Sequence, residues 1–155
     1  MTKKLTVQTH RLYHFGWQRD LPDHRDHLFS APAPILLKLP PKVDLRPHCP
    51  PVYDQGHLGS CTANAIGGAM QFLLKKERKR SFVPSRLFIY YNERALEGSV
   101  GEDRGAQLRD GVKVVNTFGV CPEPTWPYIV EHFAEKPSRE SYTKARRPAT
   151  AAAPG

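Results

Sequence analysis

The stretch Val52-Tyr53-Asp54-Gln55-Gly56-His57-Leu58-Gly59-Ser60-Cys61-Thr62-Ala63-Asn64-Ala65-Ile66-Gly67-Gly68-Ala69-Met70-Gln71-Phe72-Leu73-Leu74 decides the fold. Its first half is a glycine-punctuated loop. Ser60 then stands in an N-cap position, and the residues after it are small or apolar on nearly every face, the pattern of a buried helix. Gly67 and Gly68 each cost about 1 kcal/mol against Ala inside a helix, so close packing against a neighbouring element is expected there. Lys75, Lys76, Arg78, Lys79 and Arg80 load the helix C-terminus with cations, as the macrodipole favours.

A cysteine in the first turn of such a helix sits at the positive end of the dipole among unpaired backbone amides, and both effects favour thiolate over thiol. The same amides can hold a developing oxyanion, and Gln55 is a short loop away with a side-chain NH2 to join them. Nucleophile, dipole and amide donor within seven residues suit acyl transfer through a thioester.

Outward from this core, a second helix is predicted from Pro84-Ser85 to Gly98, with Leu87, Phe88, Tyr91 and Ala95 as its apolar face. A third is predicted from about Ala106 to Phe118, with Leu108, Val112 and Val115 inward and Gly119 as its stop. Val120-Cys121-Pro122 and Trp126-Pro127-Tyr128 read as extended, and no strong alternating strand is apparent. Residues 1–29 are polar, with an aromatic patch of His10, Tyr13, His14, Phe15 and Trp17. Prolines crowd residues 30–51 (Pro32, Pro34, Pro40, Pro41, Pro47, Pro50 and Pro51), which makes that stretch extended. Residues 146–155 have no large apolar side chain and are predicted to be disordered. The expected division is an arm and Pro-rich linker at 1–42, a compact unit at 43–145 and a tail at 146–155.

The segments Val43-Asp44-Leu45-Arg46 and Gln55-Gly56-His57-Leu58-Gly59-Ser60-Cys61 resemble the papain-like (C1) cysteine peptidases, and Gly59-Ser60-Cys61-Thr62-Ala63-Asn64-Ala65 resembles their bacterial, xylellain-like branch. Leu58 and Thr62 replace the first Cys and the aromatic of the usual Cys-Gly-Ser-Cys-aromatic pattern. The resemblance implies an α+β family fold of which this chain is the mostly α left domain, preceded by a propeptide-like arm. It implies that Cys61 is the nucleophile and that Gln55 shares the oxyanion hole with the Cys61 amide. Gly105 would pair with an extended substrate, and Ala106 and Gln107 would lie near the pocket for the second residue upstream of the cut. Arg104 stands where many relatives carry a small residue.

The family's histidine and asparagine lie about 130–150 residues beyond the cysteine. His132 is the only histidine after Cys61 and reads as a surface residue, and His57 occupies a loop position that reads as solvated. The β-rich right domain is therefore expected to be missing, through a truncated or frameshifted gene. The chain would then be inactive alone, with peptide or protein as substrate class and a complementing right domain as partner. Baring the apolar face that such a domain covers would cost on the order of 10 kcal/mol at ~25 cal/mol per Å2, so poor solubility or a covering partner is expected.

Composition bounds the rest. The chain has 155 residues, 39% of them hydrophobic, the size of one domain of modest core. No apolar run approaches a membrane span, and no secretory signal peptide stands out, which points to the cytoplasm. Three cysteines, Cys49, Cys61 and Cys121, allow one disulfide, Cys49–Cys121, and no disulfide framework. No cofactor or metal is expected: a site from His48, Cys49, His57 and Cys61 departs from the usual zinc-ligand spacing. The net charge of +8, and the run Lys75-Lys76-Glu77-Arg78-Lys79-Arg80 followed by Phe82, Phe88, Tyr90 and Tyr91, leave a basic nucleic-acid- or protein-binding module as the alternative.

Overall fold

A computed structural model of the chain describes residues 15–27, 30, 39–79 and 81–145. Three helices make the body: α1 (Cys61–Lys76), α2 (Arg86–Glu97) and α3 (Leu108–Phe118). Each packs against the other two. A short α4 (Arg139–Lys144) and three 3-10 turns, at Arg46–His48, Glu123–Thr125 and Val130–His132, complete the helical content among the described residues. The two strands are two residues long: β1 (Trp17–Gln18) lies parallel to β2 (Ala106–Gln107), with Trp17 opposite Ala106 and Gln18 opposite Gln107. The result is a helical domain, with β2 drawn into extended form ahead of α3 by the arm that pairs with it.

The core gathers Leu58, Ala63, Leu87, Phe88, Ile89, Tyr90, Ala106, Val115, Val120 and Cys121. Ser85 caps α2 by accepting the Phe88 amide at 3.2 Å, and Gly98 ends it in the left-handed conformation at φ 70°. Pro84 and Pro122 form an isolated antiparallel bridge beside α2. Tyr142 of α4 meets the Phe88 ring edge-on at a centroid distance of 5.0 Å, and its hydroxyl donates to Asn92 Oδ1 at 2.9 Å.

Several expectations are corrected. On α2, Tyr91 is half-buried and Ala95 is exposed, while Ile89, Tyr90, Asn92, Glu93 and Arg94 join Leu87 and Phe88 inside. Periodicity missed this because Arg94 enters the interior with its charge met. It donates to the carbonyls of Val100, Glu102 and Phe133 and lies over the rings of Tyr90 and Phe133. On α3, Gly111, Val114 and Val115 are buried, whereas Leu108 and Val112 are exposed. Leu108 and Val112 line an open cavity shared with Asp20, Asp23 and Arg25 of the arm, so their stripe faces the arm and not the core. Ala106 and Gln107 belong to β2, and α3 starts at Leu108.

Ser60 occupies the N-cap position of α1, yet its side chain caps no helix amide. Gly67 is buried, but a methyl there would meet only ordinary contacts, Arg86 Cγ at 3.4 Å being the nearest. The close approach lies on α3 instead. Cys49, Cys61 and Cys121 are all free thiols, with Cys49 exposed and Cys121 buried, so the possible Cys49–Cys121 disulfide is not formed. His10, Tyr13, His14, Pro32, Pro34, Arg80 and the tail 146–155 lie outside the described residues.

Gly111 makes the fold testable. A Cβ there would stand 2.2 Å from Glu93 Oε1 and 2.3 Å from Ile66 Cδ1, both in the interior. Gly111→Ala is expected to destabilise by about 1–3 kcal/mol despite its gain in helix propensity, because overpacking wins. Gly68→Ala, whose Cβ would meet only Tyr53 at 4.0 Å, is expected to stabilise by up to about 1 kcal/mol. Urea midpoints of the two variants should move in opposite directions.

Candidate functional site

Cys61 is the first residue of α1 and is half-buried. The loop before it is fastened at several points. Gly56, at φ 61°, turns the chain and donates its amide to Asp54 Oδ1 at 2.8 Å. Gln55 Nε2 donates to the Leu58 carbonyl at 3.0 Å, and Leu58, Gly59 and Ser60 are buried. The Tyr128 hydroxyl donates to the Gln55 carbonyl at 3.0 Å. With that proton committed, the 2.5 Å contact between Ser60 Oγ and Tyr128 is a hydrogen bond donated by Ser60. Asn64, one turn into α1, returns its side-chain amide to the Ser60 carbonyl at 2.9 Å and to Ser60 Oγ at 3.0 Å.

Arg86 braces this arrangement from α2. Its guanidinium lies between the rings of Tyr53 and Tyr128, at 4.6 and 4.1 Å from their centroids. It pairs with Glu123 at 3.0 Å and donates to the Asp54 carbonyl and to Asn64 Oδ1, each at 3.0 Å. A planar cation with a fixed fork of donors can serve all of these groups at once, which a lysine could not.

On the other side of the loop, the Gly59 amide donates to both carboxyl oxygens of Asp103 at 3.0 Å. The Tyr90 hydroxyl donates to Asp103 Oδ1 at 2.5 Å and accepts the Gly105 amide at 3.1 Å. Burial and the Asp103 contact push the Tyr90 phenol well above its ordinary range, so it stays protonated. The loop ending at Cys61 and the segment starting at Gly105 are therefore tied through one carboxyl and one phenol. Gly105 itself needs its glycine, at φ 77°.

The arm runs through the space between them. The Ala106 amide donates to the Gly16 carbonyl at 2.9 Å, and Gln18 Nε2 donates to the Arg104 carbonyl at 2.9 Å. Trp17 lines a cavity of about 210 Å3 together with Cys61, Thr62, Ala65 and Leu108. Further along, the Arg109 amide donates to Asp20 Oδ1 at 2.9 Å, and the Arg109 guanidinium pairs with Asp26 at 2.7 Å.

Beneath the cysteine, Thr62 Oγ1 donates to Glu93 Oε2 at 2.9 Å. Glu93 is fully buried, and its Oε1 has no hydrogen-bond partner among the described residues. Burial pushes its carboxyl up to about 8, helped by the nearby Glu97 and Asp110 and opposed by the Thr62 hydrogen bond and Arg94.

Cys61, Gly105 and Ala106 are thus brought to one groove through the arm that fills it, with Gln55 in the loop leading to Cys61. Gln107 is half-buried on β2, and its amide donates to Glu97 Oε1 at 2.9 Å. His57 is exposed. His132 is half-buried beside the Trp126 ring, at a centroid distance of 6.3 Å, which corrects its reading as a surface histidine. In the basic run, Lys75 donates to the Cys49 carbonyl at 2.9 Å, Lys79 pairs with Glu77 at 2.6 Å and Lys76 lies over the Phe72 ring at 5.9 Å, so these three cations have partners within the chain. Among the described residues no group of three or more His, Cys, Asp or Glu side chains converges as a metal site would require. Asp103, Arg86 and Glu93 escaped the sequence reading, and Tyr90 and Tyr128 appear there without these roles. Their roles depend on partners 13–73 residues away in the chain, which no local spacing records.

No family model matches the chain. It is 43% identical over 149 aligned residues to an uncharacterized peptidase C1-like protein of Acanthamoeba polyphaga mimivirus, covering 85% of this chain and 48% of that protein. Its structure superposes on the crystal structure of xylellain, a cysteine protease from Xylella fastidiosa, with a TM-score of 0.78 and 44% identity, over 86% of this chain and 55% of that one. Digestive procathepsin L 3 of the Tenebrio molitor larval midgut shares the fold, with a TM-score of 0.53 and 23% identity, over 70% of this chain and 35% of that one. The chain spans about half the length of the relatives it matches at 43–44% identity.

Glu93 gives a pH dependence with a definite sign. A carboxyl whose folded value lies above its ordinary 4.5 adds stability below that value and loses it as pH rises through about 8. The urea midpoint should fall between about pH 5 and pH 8. Glu93→Gln, which can still accept from Thr62, should flatten that slope. A slope that survives the substitution would remove Glu93 as its source.

Proposed function

We propose that the chain is the N-terminal, helical half of a papain-like C1 peptidase, as its likeness to xylellain and to the C1-like protein supports, and that it supplies the nucleophile side of a cysteine peptidase site. The observation that carries this reading is the position of Cys61. It is half-buried at the leading end of α1 and opens to a cavity beside the Gly105–Gln107 segment. Cys61 Sγ attacks the scissile carbonyl carbon of a peptide or protein. The resulting oxyanion is held by the Cys61 amide and the Gln55 side chain, whose Nε2 also donates to the Leu58 carbonyl while Tyr128 holds the Gln55 backbone carbonyl. Collapse expels the amine and leaves a thioester on Cys61, which water hydrolyses. Extended substrate pairs with Gly105, and Ala106 and Gln107 border the pocket for the second residue upstream of the cut.

The proton acceptor and donor for these steps come from the sheet-rich half of the papain-like fold, joined to this domain or supplied as a complementing chain. Neither His57, which is exposed, nor His132, which leans on Trp126, is assigned that role. Residues 15–27 act as a propeptide-like arm: Trp17 borders the Cys61 cavity, so substrate enters as the arm leaves.

Iodoacetamide labelling tests the nucleophile. Cys49 is an exposed reference thiol, and Cys121 is a negative reference whose thiol burial pushes up to about 11. In a Trp17→Ala chain at pH 6, Cys61 should be alkylated at least tenfold faster than Cys49, with Cys121 unreacted. Cys61 labelling no faster than Cys49 would sink the proposal.

A further inference from the structure

The arm crosses the groove at a single residue, and the walls leave no room there for a side chain. A methyl added at Gly16 would stand 1.9 Å from the Gly59 carbonyl oxygen and 2.6 Å from Gly105 Cα. Both are backbone atoms, which cannot swing aside as a flexible side chain could. Gly16 is not among the glycines with positive φ, so the demand is for space and not for an unusual conformation. The reverse also holds, since a methyl on Gly105 would fall 1.6 Å from the Gly16 carbonyl oxygen.

The next residue meets a second requirement. Trp17 lies in register with Ala106 and completes the 210 Å3 cavity of Cys61, Thr62, Ala65 and Leu108. Apart from Trp17, three of the four lining residues, Cys61, Ala65 and Leu108, offer mainly apolar atoms, and the Trp17 ring borders them on one side while staying 56% exposed. The walls are held apart by a fixed amount: Gly59 and Gly105 are tied through Asp103 and Tyr90. A clamp of two donors making three hydrogen bonds to one carboxyl resists widening more firmly than the apolar contacts around it.

We propose that this crossing is a binding site selective for peptide segments carrying glycine followed by an aromatic residue, with Gly16-Trp17 as its resident occupant and Asp103–Tyr90 setting its width. The proposal rests on the reading of residues 15–27 as an arm in the peptide groove, and it adds the chemical class of chain that the groove admits. An arm in the same chain competes at high effective concentration, so a free peptide reaches the site only when the arm cannot seat.

The test therefore uses the full chain carrying Gly16→Ala and a fluorescein-labelled peptide with the sequence of residues 15–27, followed by fluorescence polarisation. The parent peptide should bind at least tenfold more tightly than peptides carrying Gly16→Ala or Trp17→Ala. Equal affinities, or no binding of the parent peptide, would overturn the site. Adding Tyr90→Phe to the chain should narrow the glycine preference to less than about threefold, and an unchanged preference would remove the clamp. If circular dichroism shows that Tyr90→Phe fails to fold, Asp103→Asn takes its place. Binding is read without thiol chemistry. Repeating it with Cys61→Ser separates the two readings: selectivity that persists there while Cys61 fails the labelling test leaves this site standing and removes only the nucleophile.

Discussion

One carboxyl joins the two walls of the groove. Asp103 takes the Gly59 amide on both oxygens and the Tyr90 hydroxyl on one, and Tyr90 takes the Gly105 amide. Without that junction, the loop entering α1 and the segment entering β2 would be related only by apolar packing, which is not directional. With it, the position of the Cys61 amide and that of the Gly105 backbone are set by the same few atoms. The arm's glycine crossing, the register of β1 on β2 and the cavity around Cys61 all follow from the spacing this junction imposes.

The support behind it is more polar than an ordinary helical core. Arg86, Glu93 and Arg94 enter the space between the helices, and two of the three are fully buried. Buried charges persist where hydrogen bonds and rings meet them. Arg94 satisfies this with three carbonyls and two rings, and Arg86 with Glu123, two further acceptors and two tyrosines. Glu93 has one donor and a high proton affinity, which keeps it neutral through much of the accessible pH range. These contacts hold directions that aliphatic packing leaves free, and those of Glu93 and Arg86 reach Thr62, Asn64 and Asp54, near the cysteine in the chain.

The helical half of this arrangement was legible in the sequence. The small-residue run after Cys61, Ser85 before α2 and Gly98 and Gly119 after α2 and α3 are local signals that the structure uses. The inward faces were less legible. Leu108 and Val112 have the right period for a core, but the surface they face is the arm, and periodicity does not say which apolar stripe meets which partner. Ser60 carries the composition of a cap, yet Tyr128 and Asn64 claim its hydroxyl. The arm was read as polar sequence with an aromatic patch. Its seat depends on the lack of a side chain at Gly16, and a glycine between Phe15 and Trp17 carries no mark that distinguishes a close backbone approach from a turn.

How firmly the arm sits decides what kind of cover it is. Among the described residues its polar contacts with the body are a two-residue parallel ladder, one side-chain bond from Gln18, and the Arg109 contacts with Asp20 and Asp26. The guanidinium pair is only partly covered, with side chains 34% and 48% exposed, so salt screens it and its contribution is small. Trp17 remains 56% exposed and Phe15 78% exposed, which means that burial of the arm's aromatics is incomplete. A strand of two residues with half-covered side chains cannot stand as a permanent part of the core. It is held chiefly by steric fit at Gly16 and by covalent attachment to the same chain. Such a cover is displaced without unfolding the helices beneath it, because α1, α2 and α3 each pack against the other two.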